Sequence, residues 1–159
     1  MQLSTKGRYA VMAMVDLATQ QNLDLDCGPI CLADIAQRQQ LSLSYLEQLF
    51  GKLRRAGLVC SARGPGGGYR LARPAAEIAI ADIVGAVDEP IHATRCALDS
   101  GGCLAAPGSS GGGEKCQTHD LWFELGRQIA LFLEALTLAD VVHGRVCGRA
   151  VSLPALSRR

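Results

Sequence analysis

No apolar stretch in this chain of 159 residues reaches the ~18–20 residues that a membrane helix requires. The opening M-Q-L-S-T-K-G-R-Y lacks a charged-then-apolar leader pattern, so nothing in it argues for export and a cytoplasmic protein is expected. Net charge is scarce too: 16 Lys and Arg stand against 15 Asp and Glu, a balance of +1. There is no internal repeat. There is no Walker loop either, because G-P-G-G-G at residues 64–68 runs into a strand pattern and not into a helix opened by Lys-Ser or Lys-Thr. No substrate-pocket motif and no second cofactor motif argues for an enzyme. The seven cysteines are odd in number and follow no export signal, which argues against a disulfide framework and for a reducing compartment. At this length the chain is one domain, or one domain with an extension.

What is present is unevenly spread. Residues 1–73 hold nine Lys and Arg against five acids, whereas residues 74–159 hold seven against ten. A basic N-terminal half suits a polyanion partner. The hydrophobic spacing there predicts three helices: residues 5–20, with Tyr9, Met12, Ala13 and Leu17 recurring and Ser4 or Thr5 as cap; residues 32–39, with Leu32, Ile35 and Ala36 inward; and residues 43–56. The third is two-faced. Leu43, Leu46, Leu49, Phe50 and Leu53 form its apolar stripe, while Ser44, Glu47, Gln48, Lys52 and Arg55 fall opposite. Ser42 is the expected cap, with Ser44 and Glu47 as an alternative capping box. Gly57 closes the helix, and L-V-C-S-A at residues 58–62 reads as a strand. R-G-P-G-G-G-Y-R-L then supplies a turn whose three consecutive glycines offer positive-φ positions, with residues 69–71 as the returning strand. The fold class expected is mainly α with a small β-hairpin: a winged helix-turn-helix over residues 1–75, followed by a linking helix within 76–91 and a long helix.

A helix laid in a major groove reads base edges with its outward polar side chains. Ser44, Glu47 and Gln48 have the chemistry for this. Glutamine can bond adenine bidentately, glutamate can accept from the cytosine amino group, and serine can bond either kind of partner. A carboxylate among phosphates is repelled unless a donor faces it, so Glu47 should penalise sites without that cytosine. Arg54, Arg55, Lys6 and Arg8 are candidate phosphate contacts. Arg63 at the base of the hairpin could enter a narrow minor groove.

The second constellation is Cys96, Cys103, Cys116 and His119, spaced C-x6-C-x12-C-x2-H in a Gly/Ser/Pro-rich segment, residues 92–119, too poor in apolar residues to order itself. Three thiolates and an imidazole suit tetrahedral zinc and equally suit an iron–sulfur cluster. The remaining cysteines, Cys27, Cys31, Cys60 and Cys147, are read as structural or incidental, with Cys60 as a small core residue. After His119 a helix is expected from residue 118 to 136, with Leu121, Trp122, Leu125, Ile129, Phe132, Leu133 and Leu136 on one broad face. That face is too wide for one small domain to cover, which points to a two-fold dimer through residues 118–143. Thr137 should cap a last short helix ending at Val142, and residues 144–159 should form a mobile tail.

L-S-T-K-G-R-Y-A-V-M-A-M, L-S-L-S-Y-L-E-Q-L-F-G-K-L-R-R-A-G-L-V, R-G-P-G-G-G-Y, A-V-D-E-P and T-R-C together resemble the bacterial IscR-type iron–sulfur cluster regulators, over roughly residues 1–143. The resemblance implies a homodimeric winged-helix transcription factor, not an enzyme, that binds double-stranded DNA operators. It implies a [2Fe–2S] cluster on Cys96, Cys103, Cys116 and His119, where ligand chemistry alone leaves zinc as the alternative, and DNA contacts at Ser44, Glu47, Gln48 and Arg63. It further implies repression of cluster-assembly genes in the cluster-loaded form, binding to a second class of sites in the cluster-free form, and contact with the assembly machinery. The stretch between Cys103 and Cys116 is longer than the family's usual loop. Arg8 stands where nitric-oxide-sensing [4Fe–4S] relatives carry an acid, and that together with His119 disfavours their chemistry.

Overall fold

In the computed structural model of the protein, residues 5–23, 28–64, 66–87 and 117–148 are described. Helix α1 (Thr5–Leu23) is followed by α2 (Leu32–Gln39), α3 (Leu43–Arg55), the strands β1 (Val59–Ala62) and β2 (Gly68–Leu71), a 3₁₀ turn at Ala75–Glu77, α4 (Ile80–Ala86), α5 (His119–Glu134) and α6 (Leu138–Val142). Among the described residues the fold is thus mainly helical with one antiparallel hairpin, as its spacing predicts. α1 lies at the centre and packs against α2, α3, α4, α6 and β2.

The inward stripe of α1 is Ala10, Ala13, Met14, Leu17 and Ala18, all fully buried. Their spacing is that of one helix face, and three alanines let neighbouring helices approach closely. The expected stripe is therefore rotated: Met12 is 39% exposed and Tyr9 only half-buried, its ring edge-on to Tyr45. The helix also runs three residues past the expected end. In α3, Leu46, Leu49, Phe50 and Leu53 are buried as expected, but Leu43 is 41% exposed. As the first residue of α3 it precedes the turn that meets the core. Ser42 holds the N-cap position, so the alternative start at Ser44 is not used, and no side-chain capping bond forms there.

Cys60 is a correction. It is exposed, not a core residue, because β1 lies at the rim of the domain and only Val59 of its four residues is buried. Three elements match closely: α2 spans the expected residues, α5 starts at His119, and Thr137 caps α6 through reciprocal bonds with Asp140, whose backbone N–H donates to Thr137 Oγ1 at 3.1 Å. Gly144 and Gly148 take positive φ, and Arg145 bonds the buried Asp140 at 3.3 Å. The start of the expected tail is thus tied to α6, and residues 149–159 lie outside the described residues.

Candidate nucleic-acid interface

The interface is built from the turn between α2 and α3. Gln40 occupies the left-handed region at φ 53°, and Leu41 N–H donates to Ala36 O at 2.9 Å. Left-handed backbone is unfavourable for a residue with a Cβ, so the surroundings must hold it. A buried carboxylate contributes. Asp16 on α1 accepts from Arg38 Nη2 at 2.6 Å and from Gln39 Nε2 at 2.7 Å, clamping the last turn of α2 to α1. The Asp16 hydrogen bond is the main reason the Arg38 guanidinium holds its proton even more firmly than usual.

With that turn fixed, α3 presents Ser44, Glu47 and Gln48 outward, all exposed. The far end of α3 is closed by a Schellman motif: Leu58 N–H donates to Leu53 O and Gly57 N–H to Arg54 O, each at 3.0 Å, with Gly57 at φ 72°. The chain then turns directly into the hairpin, where Val59 pairs with Leu71 and Ala62 with Gly68. Gly64 (φ 107°) and Gly66 (φ 76°) make the turn. Gly67 and Gly68 are not positive-φ residues. They are needed for clearance, since a Cβ on Gly67 would lie 2.6 Å from Ala62 O. The expectation that all three consecutive glycines serve positive φ is corrected accordingly.

Arg63, exposed, stands where β1 enters this turn, at the tip of the hairpin and not at its base as expected, and Lys6 and Arg8 are exposed on the first turns of α1. Arg54 Nη1 donates to Ser61 Oγ at 3.3 Å, and Arg55 Nε donates to Gly51 O at 3.2 Å. Both guanidiniums are thus steered along the surface while remaining exposed. Lys52 and Arg55 also line a cleft of about 390 Å³ beside Gly85 and Ala86 of α4. The structure therefore carries a polar helix face, a glycine-built hairpin and exposed cations, although it places no nucleic acid on them.

Of the candidate metal ligands, Cys96, Cys103 and Cys116 lie outside the described residues, and no metal-binding group of side chains occurs among the described ones. His119 is described. It is the first residue of α5, half-buried, with its ring stacked on Phe123 at a centroid distance of 6.2 Å. Spacing alone missed the Asp16 clamp and the exposed Phe123. An isolated acid inside an apolar helix stripe was the available sign of the clamp.

Helix, tight turn and outward-facing second helix followed by a hairpin define the winged helix-turn-helix class of DNA-binding proteins. Residues 3–144 match the Rrf2 family, described as "Iron-dependent Transcriptional regulator", and the chain belongs to that family. It is 50% identical over 145 residues to the HTH-type transcriptional regulator IscR of Klebsiella pneumoniae and of Escherichia coli, covering 91% of this chain and 82% of theirs. Among solved structures, T. potens IscR is 35% identical with a TM-score of 0.69, covering 96% of this chain and 93% of that one. CymR, the global cysteine regulator of B. subtilis, is 33% identical with a TM-score of 0.69, covering 91% and 98%. The chain is an IscR-type transcriptional regulator, and the relatives bear the names of regulators, not enzymes. None of its described helices is long and apolar enough to cross a membrane.

Proposed function

We propose that the protein is a homodimeric, sequence-specific DNA-binding regulator, chiefly a repressor of iron–sulfur cluster assembly genes, switched by a [2Fe–2S] cluster on Cys96, Cys103, Cys116 and His119. The observation that carries the DNA half is the outward face of α3, where Ser44, Glu47 and Gln48 stand exposed beside the glycine-built hairpin. On this reading α3 lies in a major groove, Gln48 and Ser44 bond base edges, and Glu47 accepts from a cytosine amino group. Arg63 reaches the minor groove, while Arg54, Arg55, Lys6 and Arg8 hold the phosphate backbone. Phosphate contacts set register and affinity; Glu47 sets discrimination.

The donor set fits the cluster. Thiolates are the usual ligands of such a cluster, and an imidazole is an occasional one that raises its potential. His119 opens a helix of 16 residues, whose N-terminal end favours a negatively charged neighbour, and Phe123 packs flat on the imidazole, interplanar angle 13°. When bound, such a cluster supplies a redox-active, acid-labile centre. The chain's part is to hold three sulfurs and one nitrogen, and to transmit cluster binding to the DNA-reading unit through α5. A coupling of ~1–3 kcal/mol is enough to separate loaded from unloaded operator affinity. Support for a dimer comes from α5, on which Leu121, Trp122 and Phe123 are exposed. The cytoplasmic setting and exchange with the assembly machinery belong to the same reading.

The test is the visible spectrum, with iron and sulfide analysis, of protein purified without air, beside Cys103→Ala. Red-brown protein with two irons and two sulfides per chain, bleached in the variant, is expected. Colourless protein holding zinc would replace the sensor with a zinc-stabilised DNA reader. For the DNA half, Glu47→Ala should narrow the affinity gap between cytosine-bearing and substituted operators by about 1–3 kcal/mol while binding persists. Loss of binding at every operator would show a role other than discrimination.

A further inference from the structure

The hairpin does not hang from α3 alone. Ile30, in the extended segment before α2, forms an isolated antiparallel bridge with Tyr69 of β2: Ile30 N–H donates to Tyr69 O and Tyr69 N–H to Ile30 O, both at 2.8 Å. Tyr69 is also paired across the hairpin with Ser61 of β1. Its ring packs edge-on against Phe50 of α3, centroids 5.0 Å apart and planes at 70°. One residue therefore meets the segment ahead of α2, the wing's outer strand and the buried face of the reading helix. Phe50 is fully buried, so the ring contact is anchored in the core.

The neighbouring glycine is fitted to this arrangement. A Cβ on Gly68 would collide with the backbone oxygen of Ile30 and lie 2.9 Å from the backbone nitrogen of Cys31. Backbone atoms cannot rotate aside as a side-chain end can, so any larger residue at 68 must push the segment at 30–31 and β2 apart. At the base of the same hairpin, Leu71 N–H donates to Gln21 Oε1 of α1 at 3.0 Å. The tip, by contrast, carries exposed Arg63 and Gly64. A short two-stranded hairpin is only marginally stable alone; here its direction is set by what holds β2.

We propose that Tyr69 is a positioning residue for DNA binding. Clamped between Ile30 and Phe50, with Gly68 giving the required clearance, it fixes the angle of the hairpin against α3 and so delivers Arg63 to the same DNA segment that α3 reads. The proposal rests on the reading of Arg63 as a DNA contact. It assigns Ile30 and Gly68 a part in affinity although neither faces DNA.

The test is a double-mutant cycle on operator binding, measured at several salt concentrations on the full-length chain. Arg63→Ala alone should weaken binding on the order of tenfold and lower the salt slope by about one. Gly68→Ala should give a similar loss and slope, and adding Arg63→Ala to it should change little further, because a misdirected wing has no Arg63 contact left to lose. Fully multiplicative effects would overturn the proposal. Hydrogen exchange separates it from the Arg63 reading: in Gly68→Ala the Ile30 and Tyr69 amides should exchange at least tenfold faster, while those of Leu49 and Phe50 in α3 keep their protection. Unchanged Ile30 and Tyr69 exchange overturns the clamp whatever Arg63 does, whereas a silent Arg63→Ala with the exchange shift intact removes only the minor-groove contact. If Gly68→Ala does not fold, Ile30→Pro deletes one bridge donor without adding bulk to the hairpin and carries the same cycle.

Discussion

α3 and α5 are both amphipathic helices, and they end in opposite situations. α3 buries Leu46, Leu49, Phe50 and Leu53 and turns only polar side chains and Leu43 outward. α5 buries Gly126 alone among its residues, and near its start Leu121, Trp122 and Phe123 are 62%, 42% and 44% exposed. The apolar stripe of α3 is answered within the chain by α1, α4 and the hairpin. Among the described residues, that of α5 is answered toward its C-terminal end, where Phe132 and Leu133 pack on the core. Apolar area left in water costs about 25 cal/mol per Å² relative to burial, and the proposed dimer would cover these exposed residues at the start of α5. On the proposed reading the two helices divide the labour: α3 offers its polar side to DNA, and α5 offers its exposed apolar residues to a second copy of the chain.

The sharpest way to break the comparison is Phe50→Ala. It empties the centre of the α3 stripe and should destabilise the fold by about 3–5 kcal/mol, measured by chemical denaturation of the monomeric or dimeric protein at fixed concentration. On α5, Trp122→Ala should act differently. A central aromatic anchor in an interface contributes about 2 kcal/mol or more, so sedimentation should show dimer dissociation shifted at least tenfold, with the helical signal retained. If Trp122→Ala left association untouched, the apolar face of α5 would not be the dimer contact. Smaller still should be Arg38→Met. It leaves the Asp16 carboxylate, whose side chain is 4% exposed, with Gln39 as its remaining clamp partner. Because the Arg38 side chain is itself 38% exposed, solvent screening reduces the loss to about 1–2 kcal/mol. The change should appear in denaturation, and in operator affinity through the α2–α3 turn.

Much of this was legible in the residues themselves. The period of α2 and α3, the stop at Gly57 and the Thr137 cap of α6 depend on local spacing and backbone chemistry, which travel with the sequence. The outward set Ser44, Glu47 and Gln48 was legible for the same reason. It is simply the face opposite the stripe. Other features were not. Tyr9 and Met12 repeat at a helical period as well as the true stripe of α1 does, and only the neighbours of α1 decide which face is inward. Cys60 looked like a core residue because cysteine usually is one, whereas its exposure depends on how far the hairpin projects from the domain. Gly66, Gly67 and Gly68 look alike in the sequence, yet one supplies positive φ and two supply clearance.

The residues alone were enough to locate the helical segments, though not the ends of α1 and α5, and to single out side chains chemically able to read DNA and four residues suited to a cluster. Those are properties of short stretches, set by periodicity, capping and ligand chemistry within a few residues. The tertiary structure alone decided the Asp16–Arg38 clamp, the Ile30–Tyr69 bridge and the choice of the Ala10–Ala18 face for the centre of the core. Each joins residues far apart along the chain, whose meeting has no local trace because it is fixed by the packing of whole elements around a shared core.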